Sequence, residues 1–271
     1  MIFDCVTYKN EDIILELRLN TLNEFVDKFI IVEATKNHAG KPKKLNFDIK
    51  KFEKFQKKIR YIIVDDMPEK VNSFYYNRRW WHENIVRDIH QRNQIMKGLQ
   101  DANDDDLIII SDIDEIPDLS KLNNFKLKKY AVFSQKFYKY KFNLLSSSQT
   151  PYQGSRIVKK KYLKSPQWLR SQKIKKYPFW KFNKIKWNII KNGGWHFSYL
   201  MSPEEIKKKL ASFAHSEYNN EKYTNLKKIE DSIKNKMDLF DRPILYQKNI
   251  FDKTFPDYVV NNKEKFKDWI L

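Results

Sequence analysis

The chain has 271 residues, 41% hydrophobic and 15% aromatic, with 53 Lys and Arg against 34 Asp and Glu for a formal net charge of +19. That length builds one large α/β domain or two small ones with ample material for a core, and no apolar run approaches the ~20 residues that span a bilayer. The single cysteine, Cys5, excludes an internal disulfide and any cysteine-based zinc site, and five glycines nearly exclude a glycine-rich phosphate loop.

Ile2–Val6 reads as a first strand, entered directly from Met1 without a basic and apolar leader, so neither a secretory signal nor an amino-terminal anchor is expected. Glu11 to Phe25 places Ile14, Leu15, Leu17, Leu19, Leu22 and Phe25 at broadly helical spacing, which predicts an amphipathic helix with Asn10 as its N-cap. Phe29–Val32 is a second buried strand ending in Glu33, and the following loop is punctuated by Gly40 and Pro42. A short helix is expected over Phe47–Phe55. Ile59–Val64 is a third strand, ending in Asp65 and Asp66. Arg78 to Leu99 predicts a longer helix with Trp81, Ile85, Ile89, Ile95, Met96 and Leu99 towards the core. Leu107–Ile110 is the fourth strand. This order predicts a doubly wound, nucleotide-binding half of about residues 1–118.

After Pro117 the character changes. Ala131–Leu145 partly alternates and is rich in aromatics, which suggests sheet. Ser146–Pro151 is loop, and Lys159–Lys186 has no clear period. Trp187–Ile190 reads as a short strand, broken at Gly193-Gly194. Ser202-Pro203-Glu204-Glu205 is a helix start with a capping box, and that helix should run to about His215. Further helices are expected over Leu226–Met237 and in the tail from Tyr258 to Leu271. No repeat or low-complexity linker divides the chain. It reads as a single domain, 1–271, whose second half, about 119–271, is irregular and aromatic-rich.

The stretch Leu107 to Asp118, LIIISDIDEIPD, organises this pattern. A strand apolar enough to be buried on both faces runs into Asp112, Asp114, Glu115 and Asp118. Buried carboxylates cost several kcal/mol unless paired. In extended backbone Asp112 and Asp114 point the same way, and such hard oxygen donors suit Mg²⁺ or Mn²⁺. Ligands in open α/β sheets bind beyond the carboxyl ends of strands. A solvated acidic turn is the alternative. His196, after two glycines and among aromatics, offers an imidazole to complete a metal site begun by two carboxylates; a core histidine bonded to a carbonyl is the alternative. His38 lies beside Gly40 on a loop, His82 and His90 read as structural, and His215 lies near a helix end. With no phosphate-cradling loop, a nucleotide would need its diphosphate neutralised by a metal.

The positive charge is mostly scattered lysine, with little arginine and no helix-turn-helix or zinc-finger spacing, which argues against nucleic acid as a partner. Two denser patches, Lys159–Lys161 and Lys173–Lys176, are interleaved with Tyr162, Trp168, Tyr177, Phe179 and Trp180. They suit a groove for a polyanion, a saccharide or a membrane surface, or else a solvated basic face. The carboxylates also suit a metal-dependent phosphoesterase or nuclease, with Asp65 and Asp66 as further ligands. A non-catalytic saccharide- or nucleic-acid-binding module is the third possibility.

The stretches IFDCVTYKNEDIILELRLNTL, FIIVEATKNHAGKPKKL, IISDIDEIP and GGWHFSY followed by SPEEI, in that order, resemble glycosyltransferase family 17, which includes β-1,4-mannosyl-glycoprotein N-acetylglucosaminyltransferases. The resemblance covers most of Ile2 to Glu217, with a poor match over Ser146–Lys186. It implies an α/β fold of GT-A type, with a Rossmann-like nucleotide-binding sheet flanked by helices and an acceptor half. It further implies a nucleotide-sugar donor, UDP-GlcNAc, and inverting transfer to a hydroxyl. On that pattern Asp112 and Asp114 would hold Mn²⁺ or Mg²⁺ and the donor diphosphate, with His196 as the later metal ligand. Glu33 would sit near the nucleoside and Arg92 would reach the diphosphate or the sugar. The general base would be Glu115 or Glu217, between which the residues do not choose. Animal members are membrane-anchored, whereas this chain starts at its first strand. A cytoplasmic enzyme acting on a saccharide or glycoconjugate is therefore expected, with Lys159–Trp187 contacting the acceptor or an anionic membrane peripherally.

Overall fold

The four apolar runs of the first half form four parallel strands. A computed structural model of the chain describes residues 1–69, 83–123, 125–175, 180, 185–211 and 220–271. Strands β1 (Ile2–Thr7), β2 (Lys28–Ala34), β3 (Ile59–Val64) and β4 (Leu107–Ser111) lie side by side in the order β3-β2-β1-β4. Helix α1 (Asp12–Leu22) connects β1 to β2. Helix α2 (Glu83–Asn93), continued by a 3-10 turn over Gln94–Leu99, lies between β3 and β4.

The near-continuous apolar character of these strands follows from burial on both faces. Val6, Ile31 and Ile109 pack with Leu15, Leu19 and Leu22 of α1 on one face. Cys5, Ile30, Val32, Ile108 and Ile110 pack with Ile95 and Leu99 on the other. Alternate strand residues thus serve opposite faces, and each such buried side chain is worth roughly 1.5–3 kcal/mol relative to exposure.

The second half extends this sheet. It contributes β5 (Glu115–Pro117), β6 (Tyr130–Lys139), β7 (Leu144–Leu145), β8 (Tyr152–Lys159), β9 (Asn188–Ile190), β10 (Gly194–Ser198) and β11 (Gln247–Lys248). Strand β8 is wedged antiparallel between β4 and β6, with Ile157 opposite both Ile109 and Ala131. The full order is β11-β7-β6-β8-β4-β1-β2-β3. Strand β10 runs parallel to β6 and antiparallel to β5, so His196 stands opposite both Phe137 and Glu115. Helices α3 (Pro166–Ser171), α4 (Pro203–Ala211), α5 (Glu221–Thr224), α6 (Leu226–Lys234) and α7 (Asp257–Asn261) complete the flanks. The result is a mixed α/β fold around one large sheet, compatible with the expected Rossmann-like arrangement.

Several expectations shift in detail. Asn10 does not cap α1; Glu11 occupies that position without a side-chain cap bond. Phe47–Phe55 is a 3-10 segment, Ile49–Phe55, capped by Asp48 accepting from the Lys50 amide. The predicted helix over Arg78–Leu99 is described from Glu83 on, and its start, including Trp81 and His82, lies outside the described residues. The capping box at Ser202 is present: the Ser202 amide donates to Glu205 at 2.8 Å and the Glu205 amide to Ser202 at 3.2 Å. His215 lies outside the described residues.

The described part of the basic, aromatic stretch packs several of its rings together. Tyr162, Trp168 and Trp187 gather around the Tyr130 ring at 5.9–6.2 Å, packed beside the sheet. Lys159 and Lys161 both pair with Asp105 at 2.9 Å. Tyr177, Phe179 and Lys176 lie outside the described residues. Among the described residues, no helix is long and apolar enough to cross a membrane.

Candidate active site

Strand β4 stops at Ser111, and Asp112 to Glu115 form a turn in which the Glu115 amide donates to the Asp112 carbonyl at 3.0 Å. The two aspartates are therefore not in extended backbone, as the spacing suggested, and they meet different partners. Asp112 accepts from Arg92 at 3.2 Å and from Arg170 at 2.8 Å, one on each oxygen. Asp114 lies 3.4 Å from the Nε2 of His196.

The turn is fastened from beneath by Arg18 of α1. This fully buried guanidinium makes a two-toothed pair with Asp4 of β1 at 2.6 and 2.7 Å. Its remaining nitrogen donates to the carbonyls of Ile113 at 3.3 Å and Glu115 at 2.6 Å. Ser155 of β8 also donates to the Glu115 carbonyl, at 2.9 Å. Charge-assisted bonds of this kind are the strong ones, so the turn is held at its carbonyls and its side chains are left to face the cleft.

Glu115 is the exception. Its carboxylate is fully buried and takes both terminal nitrogens of Arg170 at 2.8 Å, together with the Asp112 amide at 3.1 Å. It does not line the cleft; the Glu115 carboxylate, one of the two expected bases, is placed where its oxygens serve the turn. The other expected base, Glu217, lies outside the described residues.

The cleft, of about 360 Å³, lies beyond the carboxyl ends of β1, β2 and β4. Thr7 ends β1 and Tyr8 follows it, Asp112 to Asp114 follow β4, and His196, Ser198 and Tyr199 come from β10 and its end. Asp88, Gln91 and Arg92 of α2 form one wall, and Lys209 of α4 another. Lys9, Lys36, Lys43, Arg92 and Lys209 line the cleft together with four carboxylates, Glu11, Asp88, Asp112 and Asp114, and Lys36 and Lys43 are also paired with Glu69 and Glu33.

Glu33 does not reach this space. It is fully buried at the end of β2 and accepts from Lys43 Nζ, the Asn46 and Phe47 amides at 2.9 and 3.0 Å, and Tyr61 at 2.8 Å. Glu33, expected near a nucleoside, tethers the loop that carries Lys36, His38 and Lys43 into the cleft. Gln91 adds a second tether, donating to the Val32 carbonyl at 3.1 Å and bonding His38 at 3.0 Å. Arg92 does reach the cleft, where Asp88 holds it at 2.9 Å. His90 pairs with Asp66 at 3.0 Å, and Asp65 and Asp66 are absent from the lining.

Burial opposes ionisation of Asp112, but the Arg170 and Arg92 guanidiniums overcome it and hold the carboxyl well below the usual carboxylate range. Asp114 is likewise lowered against burial by His196. The His196 imidazole is disfavoured as a cation by burial and raised by Asp114. Its ring lies against Phe137 at 4.7 Å and Tyr152 at 4.4 Å, and its Nδ1 is buried without a hydrogen-bond partner.

Among the described residues, no three His, Cys, Asp or Glu side chains converge as a ready metal cage. Both Asp112 oxygens are engaged by guanidiniums, whereas Asp114 and the Nε2 of His196 face each other on the cleft wall. These two donors fit a divalent cation whose remaining positions come from phosphate and water, as is usual for Mg²⁺. Asp112 has a lone pair left on each oxygen beside its arginine bond with which to join such a site.

Arg18, Arg170 and Lys209 were not anticipated. Arg18 carried a signal, since a charged residue stands among the buried leucines of α1. Arg170 carried none, lying in a stretch without period.

The family model for glycosyltransferase family 17 matches residues 1–269. The chain is also similar to the β-1,4-mannosyl-glycoprotein 4-β-N-acetylglucosaminyltransferases of Rattus norvegicus and Homo sapiens. Each is 22% identical over 243 residues, covering 80% of this chain and 43% and 44% of those proteins. The chain thus spans less than half the length of these relatives.

Proposed function

The chain belongs to glycosyltransferase family 17, and we propose that it moves GlcNAc from UDP-GlcNAc to a hydroxyl of a saccharide or glycoconjugate with inversion at the anomeric carbon. The carrying observation is the convergence of Asp112, Asp114, Arg92 and His196 on one cleft beyond the carboxyl ends of the parallel strands. Ligands of open α/β sheets bind there. The donor sugar is taken from the names of the two relatives. The parallel order β3-β2-β1-β4, continued through antiparallel β8 into a mixed second half, supports a GT-A type of fold.

In this reading the nucleoside lies near Thr7, Tyr8 and His38, and the diphosphate turns towards Arg92, Asp114 and His196. Asp114 and His196 would hold Mn²⁺ or Mg²⁺, which supplies Lewis-acid neutralisation of the departing diphosphate. Arg92, whose terminal nitrogens are held by Asp88, Gln167 and Asp112, would donate to the phosphate oxygens by exchanging one of these partners. Arg170 keeps Asp112 ionised, so that a carboxylate stands near the developing oxocarbenium charge. Lys36 and Lys43 add positive potential along the approach.

The test is a thermal-shift series of UDP-, GDP- and other nucleotide sugars with and without Mn²⁺. A ligand that binds the native state raises the midpoint. UDP-GlcNAc with Mn²⁺ is expected to give the largest rise, and Asp114→Ala to remove its Mn²⁺-dependent part. A flat response to every nucleotide sugar, with metal-dependent cleavage of a phosphodiester, would instead establish a phosphoesterase.

A further inference from the structure

Beyond the cleft lies a second recess of about 260 Å³, between the start of α1 and the start of α4. Its apolar side is built from Ile13, Ile14, Leu200 and Met201. Three described side chains line both spaces, Lys9, Glu11 and Lys209, and Glu11 is the single carboxylate among them. We propose that this recess takes the acceptor as one pyranose unit and that Glu11 is the catalytic base that receives the proton of its attacking hydroxyl. This rests on the donor reading of the adjoining cleft.

Glu11 is placed for that task by its own backbone. Its Oε2 accepts from the amides of Lys9 at 3.0 Å and Asn10 at 3.1 Å, which fixes the carboxylate at the head of α1. Its Oε1 stands 3.9 Å from Lys209 Nζ. Burial disfavours the Lys209 ammonium, and the charges of Glu11, Asp114 and Asp112 raise it again. Glu11 and Lys209 line the same cleft as the aspartate turn, and both also line the recess. That is the relation needed between a base on the acceptor and the group that holds the leaving diphosphate.

The recess is smaller than the ~300–1,000 Å³ of sites for drug-sized ligands, so it suits one ring with the rest of the acceptor outside. An apolar wall with Asn10, Glu11 and Lys208 at its edge matches the apolar face and hydroxyl rim of a sugar. The step balances simply. The acceptor oxygen forms its bond to the anomeric carbon while the bond from that carbon to the phosphate oxygen breaks. The electron pair leaves with the nucleoside diphosphate, and the hydroxyl proton passes to Glu11. Of the two bases expected earlier, Glu115 is sealed under Arg170.

The experiment follows UDP release from UDP-GlcNAc with Mn²⁺, using water and the methyl glycosides of mannose, glucose, galactose and GlcNAc as acceptors. Glu11→Gln keeps an oxygen for the backbone amides but cannot take the proton. It is expected to lower kcat by about 10²–10⁴-fold, the usual contribution of general base catalysis, with the donor KM within about threefold and the UDP-GlcNAc thermal shift retained. Met201→Trp fills the recess and is expected to raise the glycoside KM by about tenfold. A Glu11→Gln enzyme with wild-type kcat, or one that loses the donor shift, overturns the assignment of the base. An unchanged glycoside KM in Met201→Trp overturns the recess as the acceptor site. A wild-type protein that shows neither donor shift nor UDP release overturns the donor reading itself, and the inference with it.

Discussion

Arg170 of α3 gives both terminal nitrogens to Glu115 of β5 at 2.8 Å, and one of them also reaches Asp112 at 2.8 Å. The guanidinium thus joins a fully buried carboxylate to one on the cleft wall. The pairing ties a short helix of the second half to the turn that ends the fourth parallel strand.

Removing one member of a buried pair leaves an uncompensated charge, at a cost of about 3–5 kcal/mol. Arg170→Met is therefore expected to lose about that much stability in urea unfolding. Adding Glu115→Gln should recover a large part of the loss, because the orphaned charge is gone. Equal stability of the single and double variants would show that the ion pair is not the source of the cost.

The two aspartates of the turn are expected to separate by experiment. Asp114→Asn should abolish the Mn²⁺-dependent part of the nucleotide-sugar shift, because Asp114 faces His196 on the cleft wall. Asp112→Asn should lower the midpoint of the ligand-free protein, since two guanidiniums lose a charged acceptor worth about 1–3 kcal/mol, while keeping a response to Mn²⁺. The reverse pattern in thermal-shift measurements would exchange their roles.

Gly194 opens β10 at φ +123°, and a Cβ there would lie 2.2 Å from the Ile116 carbonyl oxygen and 2.7 Å from the Asp118 amide nitrogen. Both neighbours are backbone of β5 and its end, so neither can rotate away. Gly194→Ala is expected to cost roughly 2–6 kcal/mol, combining backbone strain with overpacking. Because β10 carries His196, the Mn²⁺ response should fall as well. A variant within about 1 kcal/mol of wild type in urea unfolding would show that β5 and β10 can move apart.

Lys139 lies buried among the rings of Tyr140, Tyr199, Phe240 and Tyr246 at 5.0–5.5 Å, with Asp238 at 2.8 Å. Burial pushes its ammonium down to about 8 from 10.5. Asp238 stays charged because Arg242 and Tyr246 serve it too, at 2.7 and 2.8 Å. Between about pH 8 and 10.5 the unfolded chain binds more protons at this lysine than the native one, so its contribution to stability rises with pH across that window and is flat below it. Urea unfolding from pH 7 to 10 should show this rise in wild type relative to Lys139→Met. Parallel curves would mean that the native lysine keeps its proton.

The parallel strands were legible because burial on both faces leaves unbroken apolar runs, as in Leu107–Ile110. The aspartate turn and His196 were legible because charge ended such a run and glycines preceded the imidazole. Strand β8 was not, since Gln153, Gly154, Ser155 and Arg156 interrupt its apolar residues. Glu33 and Glu115 show why the role of such an acid is not legible in the sequence. An acid at a strand end looks the same whether it meets a ligand or backbone amides and an arginine. Only the fold distinguishes the two, and here both are buried and hydrogen-bonded within the protein.

The position of β8 sets the order in which a growing chain can finish. The four parallel strands are complete once Ser111 has been made, yet the free edge of β4 is covered only by Tyr152–Lys159. At about 5–20 residues per second, that edge waits a few seconds for its partner, with its ladder of amides and carbonyls unmatched. Open apolar edges of this kind invite pairing with other chains. A released chain that stops between Ser111 and Tyr152 would therefore present the uncovered edge of β4 to other chains.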